Sequence, residues 1–400
     1  MEWANAMKNN IRRIYIHSIT TQMLFLLPVV VPYYHSIGLS FRDFLLGEAF
    51  FSAVVLLAEV PSGWISDVWK RRSTLILGAV FGIAGLSLLM VADNFWTATL
   101  SQGIIGIAVA LNSGTNTALL YDTLYEEGRQ EDYVRFDGKR HGFGIYGTAF
   151  SCFAGSFLFF VNPKLPLICD VLVLIIAMIA IAGVKEPARH QKSVEKHVFH
   201  DMWETMKFAL SGHAEITGII MLSTVILCTT KLMLWAQQPY YALVGIPVEW
   251  FGTIIAAMYV IGGIAGQNAH RLQKIGTNRQ ALAFTALVLT FACLGLIVFA
   301  GKIAAFVCFL AGTLAYAMGM PRVNNAINAR VGGERRATIL STASLMVHML
   351  FIPTSAIIGA LSEQGGITLS LFWMGLQVFI LSQIGLYLWG RKDSKDPVLS

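Results

Sequence analysis

Stretches of about 20 residues with almost no charge recur along the chain, and a helix of that length rises about 30 Å, the depth of a bilayer's hydrocarbon core. They fall at 14–33, 43–65, 74–92, 97–122, 142–161, 166–184, 214–238, 250–269, 280–300, 303–321, 338–361 and 368–389. Over 400 residues, 56% are hydrophobic and 13% charged, so there are too few charges to coat a water-soluble globule. The expected fold class is an all-α membrane protein with twelve transmembrane helices. The first stretch follows Lys8, Arg12 and Arg13, as in a signal peptide. It is too long for one and lacks a small-residue cleavage site, so it reads as a retained span. The five cysteines, Cys152, Cys169, Cys228, Cys293 and Cys308, show no metal or redox spacing and read as packing residues.

Cytoplasmic loops retain Lys and Arg, which orients the spans. With the N-terminus inside, only Arg42, Lys164, Lys231 and Lys302 of the 29 basic residues fall on outer loops or within a span. Both termini are therefore expected in the cytoplasm, with the chain crossing the inner membrane many times.

The expected domains are a six-helix bundle over 1–184, a cytoplasmic linker over 185–213 and a second six-helix bundle over 214–400. Within the linker, Phe199, Met202, Trp203, Met206 and Leu210 recur at helical spacing opposite Asp201, Glu204 and Lys207, the pattern of an interfacial amphipathic helix or a solvated linker helix. The two halves also repeat one another. After the first span the chain reads PYYHSIGLSFRDF and after the seventh PYYALVGIPVEWF, so that Pro32, Tyr33, Tyr34, Gly38 and Phe44 match Pro239, Tyr240, Tyr241, Gly245 and Phe251 at one constant offset. Gly63, Asp67 and Arg71 then meet Gly266, His270 and Lys274. Both copies have the same orientation, which makes the repeat parallel.

Between the second and third spans the chain reads Gly63-Trp64-Ile65-Ser66-Asp67-Val68-Trp69-Lys70-Arg71-Arg72. This resembles the signature loop of the major facilitator superfamily, with Gly63, Asp67, Arg71 and Arg72 in place and with Val68 and Lys70 departing from it. Glu59-Val60-Pro61-Ser62-Gly63, Leu120-Tyr121-Asp122-Thr123-Leu124 and Arg335-Arg336-Ala337-Thr338-Ile339-Leu340-Ser341 look like a bacterial, drug-efflux-like branch. The resemblance implies an inner latch: Asp67 against the segment from Arg336, and Arg71 paired with Asp122. Physically, a glycine permits close helix approach, and an aspartate suits the positive start of a neighbouring helix. An ordinary positive-inside loop is the other reading.

Ionisable groups in hydrocarbon are costly and mark function by default. Glu48, Ser52 and Glu59 lie on one stripe of the second span and should face the protein interior. Burial disfavours a charged carboxylate, which makes Glu59 a candidate proton carrier, or a structural glutamate bonded to a neighbouring helix. Lys231 is a candidate counterpart of an anionic solute group or of Glu59, or a snorkelling side chain. Gln22 and His348 lie at mid-span depth. His17 and Arg322 lie nearer the cytoplasmic ends, where Arg322 could join an inner gate with Asn324 and Asn325.

No phosphate-cradling loop, paired metal ligands or nucleophile elbow is present, so neither an enzyme nor a cofactor is expected. The resemblance implies a secondary transporter working by alternating access, proton-coupled, exporting a small amphipathic solute as an antiporter. Tyr33, Tyr34, Tyr240 and Tyr241 favour such a solute. The fifth span carries Gly142, Gly144, Gly147 and Gly155 but lacks the Gly-Pro element of many family antiporters, which leaves uptake of a nutrient or siderophore open. A receptor or scaffold that keeps the fold without moving solute is the rival from another class. Expected partners are the solute, protons and membrane lipid, without nucleic acid; the protein is expected to be a monomer. The topology is checked by cysteine labelling from outside intact cells, which should modify position 164 and spare position 192.

Overall fold

In hydrocarbon no water is available to backbone N–H and C=O groups, so each span must satisfy its own as helix. The computed structural model describes residues 2–187, 207, 214–269, 276–330 and 333–390, with the side chains of 2–8, 60, 67, 333–338, 340 and 341 outside the description. Every regular element among them is helical. The amphipathic segment 199–210 and the repeat partners His270 and Lys274 lie outside the described residues, apart from Lys207.

Helix α1 (Glu2–Gln22) leads through residues 23–26 and a 3-10 turn into α2 (Val30–Ser36). Then come α3 (Phe41–Val68), α4 (Arg71–Met90), α5 (Phe95–Asn112), α6 (Thr115–Glu126), α7 (Tyr133–Val161) and α8 (Leu165–Ala182). The later helices are α9 (Ala214–Leu243), α10 (Phe251–Gln267), α11 (Asn278–Val298), α12 (Lys302–Asn328) and α13 (Gly333–Gly390). Among the described residues, ten helical segments are long and apolar enough to cross a membrane. The last of these covers 49 residues, and α13 leaves helical geometry at Gly365 and at Gly366, whose φ is 70°.

Two expected spans are not continuous rods. The fourth divides at Ser113 and Gly114, where φ of 71° suits glycine and starts α6 afresh. The first breaks at residues 23–26, just before Pro28, which lacks an N–H and crowds the carbonyl four residues earlier.

The described residues of 1–195 and 248–260 form one compact unit, and those of 196–247 and 261–400 a second. In the first, Ile11, Ile14, Leu75, Leu119, Leu120, Leu124, Ile181 and Val184 make an apolar core that ties α1, α4, α6 and α8 together at one end. Asn10 bonds Lys185 in both directions, its Nδ2 donating to the carbonyl and its Oδ1 accepting from the N–H, each at 3.0 Å. Helix α7 has two unlike sides: Phe150, Phe153, Phe157 and Phe160 are exposed, while Ser151, Cys152, Gly155 and Ser156 are buried. In the second unit α9 packs along α13 and α12.

Four tyrosines anchor the ends of the spans that carry them. Tyr33 Oη donates to the Leu89 carbonyl at 2.9 Å, and Tyr240 Oη donates to the Leu296 carbonyl at 2.6 Å. Tyr34 accepts from Gln102 Nε2 at 3.2 Å, and Tyr241 donates to Gln237 Oε1 at 3.1 Å. Each pair ends at a glycine with positive φ, 80° at Gly38 and 68° at Gly245. All four side chains are buried with their hydroxyls engaged, so they act as packing and not as the solute-facing aromatics expected from sequence. Tyr33→Phe and Tyr240→Phe each remove one buried hydrogen bond and should each cost about 1 kcal/mol, read as matched losses of thermal stability in purified protein.

Candidate functional site

The loop from α3 to α4 is only Trp69 and Lys70, which brings the start of α4 against α6 and α8 of the first unit. Arg71 Nη1 lies 2.5 Å from Asp122 Oδ2, with side chains 15% and 20% exposed. Neither atom is aligned for a hydrogen bond, so the attraction is of charge more than direction. The carboxylate of Glu186 meets the free N-terminal N–H groups of α4, accepting from Arg71 N at 2.7 Å and from Arg72 N at 3.0 Å. A carboxylate there answers both the unpaired donors and the positive end of the helix dipole. Lys70 at the N-cap supplies no side-chain bond. Glu186 therefore does the capping from 115 residues away in sequence.

A Cβ placed on Gly63 would meet nothing within 4 Å among the described residues. The side chains of Asp67, Arg335 and Arg336 lie outside the described residues, and with them the second half of the expected latch.

On α3, Glu48 and Ser52 are buried, as the polar stripe requires. Glu59 is half-buried, and its Oε2 is enclosed without a hydrogen-bond partner. Gln22 closes α1 beside the break in the first span, its carboxamide lying over Gly144 of α7, where a Cβ would come within 2.3 Å of it. His17 is fully buried and bonded to the Ala177 carbonyl at 3.2 Å and Asn112 Oδ1 at 3.3 Å.

In the second unit, Lys231 Nζ sits 3.9 Å from the centre of the Phe351 ring, a cation–π contact that holds an ammonium in apolar surroundings. His348, one turn earlier on α13, is half-buried with Nδ1 enclosed and without a hydrogen-bond partner. Arg322 is buried and reaches the start of α11, its Nη1 3.3 Å from Asn278 Oδ1 and 3.5 Å from the Gly276 carbonyl. Gly276 lies in the α10–α11 connection and Asn278 opens α11.

Sequence reasoning passed over three groups. Glu186 is one. Arg140 of α7 is another: it pairs with Asp137 at 2.6 Å and reaches Ser18 Oγ at 3.4 Å and Thr117 Oγ1 at 3.5 Å. The third is Asp170 of α8, 3% exposed, whose carboxylate accepts from Phe25 N at 2.7 Å and Leu26 N at 3.0 Å. Asp170 carried a readable signal as the single charge inside LPLICDVLVLIIAMIAIA.

The latch has a direct check. Asp122→Asn should reduce transport while expression and insertion hold, and exchanging the charges of positions 71 and 122 should restore part of it. Glu186→Gln should lower stability by about 1 kcal/mol, seen as a lower Tm in detergent.

The chain matches the Major Facilitator Superfamily over residues 16–355. No curated protein matches it. Among solved structures, the nucleoside transporter NupG is 13% identical, covers 96% of this chain and 100% of its own, and superposes with a TM-score of 0.75. A D-xylose-proton symporter is 14% identical over 96% of this chain and 98% of its own, with a TM-score of 0.76. A bacterial homologue of the human lysosomal transporter Spinster, in an inward-facing and unoccupied conformation, is 12% identical over 96% of both chains, with a TM-score of 0.72. Such identities speak for the fold alone, whereas the family match spans most of the sequence. With its apolar helices and buried polar groups, the chain belongs to the Major Facilitator Superfamily: it is a multi-pass membrane transporter and not an enzyme.

Proposed function

We propose that the protein is a secondary active transporter of the drug-efflux-like branch, exporting a small amphipathic solute by alternating access and drawing on the proton gradient. The observation that carries the proton coupling is Glu59, a carboxyl group within α3 with one oxygen enclosed and unbonded. That oxygen has no hydrogen-bond partner among the described residues. An unbonded one, in a span that must exclude charge, is suited to take up and release a proton. Gln22, Glu48, Lys231 and His348 are the further candidates for the solute and proton path, and Gly63, Asp67, Arg71, Arg72 and Asp122 for the inner gate. Arg322 is a further candidate for the solute and proton path or the inner gate, and its contacts with Asn278 and the Gly276 carbonyl place it beside the start of α11.

The proposed architecture is twelve spans in two six-helix bundles, 1–184 and 214–400, joined by the linker 185–213 and related by a parallel repeat. Support for the repeat comes from the tyrosine anchors: Tyr33 to Leu89 and Tyr240 to Leu296 span the same 56 residues, and Gly38 and Gly245 adopt the same left-handed conformation. The proposed setting is the inner membrane, with both termini cytoplasmic and the protein acting as a monomer.

The solute is to be found by comparing metabolite and drug accumulation in cells with and without the protein, then moved into proteoliposomes under an imposed pH gradient. Glu59→Gln fixes the neutral form with little change in size. It should abolish gradient-driven accumulation while leaving solute binding largely intact. A variant that still concentrates solute would make Glu59 structural and shift the search to Asp122 or His348.

A further inference from the structure

Asp170 stands in the most apolar described span, and its only hydrogen bonds among the described residues are to the backbone of another span. Its two oxygens take the N–H groups of Phe25 and Leu26. The N–H of Leu24 goes to Ser151 Oγ of α7 at 2.8 Å. Thr148, one turn before Ser151, donates from Oγ1 to the Gln22 carbonyl at 2.7 Å. Glycines on the same face of α7 make room for this chain path: a Cβ on Gly155 would lie 1.9 Å from the Phe25 carbonyl oxygen.

Pro28 accounts for only part of the break. A proline interrupts one bond of the ladder and tilts the preceding turn, whereas here three successive N–H groups have left the helix for side chains of α7 and α8. An unbroken helix would satisfy those groups with no charge in the membrane at all. A buried carboxylate is expensive to desolvate, and no cation pairs with this one among the described residues. The titratable groups that face it are Cys152 and Cys169. The Asp170 carboxyl group thus meets the open backbone of span 1, and the group displayed at the edge of that opening is Gln22. Its carboxamide is half-buried and makes no hydrogen bond among the described residues. It offers one donor side, one acceptor side and no charge.

We propose that Asp170 is a positioning residue: it holds span 1 open at residues 23–26, and so sets where Gln22 presents its carboxamide to a neutral, hydrogen-bonding group of the solute. This rests on the reading above that Gln22 faces the solute path.

Nitroxide labels at Arg12 and Ser36 of the full-length protein in lipid nanodiscs, with the native cysteines replaced, read the break by double electron–electron resonance. Both positions are exposed, one on each arm of the span, and an unbroken helix would separate their backbones by roughly 36 Å. Asp170→Leu should move the distance distribution towards that value. Asp170→Asn, which keeps the size and one acceptor, should move it less in the same direction, and it serves if the leucine variant does not fold. In parallel, the rate at which Gln22→Cys reacts with N-ethylmaleimide should change several-fold in Asp170→Asn, while that of Asp93→Cys in the α4–α5 loop stays constant. General loosening would raise both. Distances unchanged in the variants would overturn the proposal, leaving the break to Pro28. Transport unaffected by Gln22→Ala would instead overturn the solute-facing reading beneath it, whatever the distances show.

Discussion

Every backbone N–H and C=O within the hydrocarbon must find a partner inside the protein, and most of this structure follows from how that demand is met. Along α4, α5, α8 and α11 the helix itself meets it, and side chains are left to choose between lipid and packing. At residues 23–26 the helix does not, and the side chains of Asp170, Ser151 and Thr148 take over. The exposed phenylalanines of α7 and its buried serines and glycines are the two sides of that one arrangement: the same helix exposes aromatic rings on one side and on the other supports a neighbour's open backbone with hydroxyls and bare Cα atoms.

Charge in the two units is confined in the same spirit. At the start of α4, Arg71 meets Asp122, and Glu186 covers the helix end. At the start of α11, Arg322 reaches Asn278 and the Gly276 carbonyl, and at the start of α9, Glu215 pairs at 2.7 Å with Arg330, just beyond α12. In both units a residue late in one span holds the beginning of another, with an acid in α6 and a base in α12. The sign differs, and the task of fixing a helix start is shared. Lys231 is handled otherwise, with the face of Phe351 against its ammonium.

That the chain is built of apolar helices was legible because apolar length is a local property of the chain. Arg71 with Asp122 was legible through the resemblance of the loop. The tyrosine doublets were visible as a repeat, yet their burial was not, since a hydroxyl's partner in another helix leaves no mark in the sequence around it. Asp170 could be seen as a lone charge, but its partners could not be named: Phe25 and Leu26 become donors only once span 1 has opened, an event decided by α7 and α8. Glu186 is a similar case, an acid in a linker start whose partner is a helix terminus and not a side chain.

Where the first half of the chain can be severed follows from Glu186. The bonds of Asn10 to Lys185 and of Glu186 to α4 mean that the helices α1 to α8 receive their closing contacts two residues beyond Val184. If the halves were made as separate polypeptides and asked to reassemble, a first fragment stopping at Val184 would carry an α4 with a bare positive end. One extended through Pro187 would bring its own cap. The seam of the gene product, for complementation or for circular permutation, therefore lies after the carboxylate and not at the edge of the membrane.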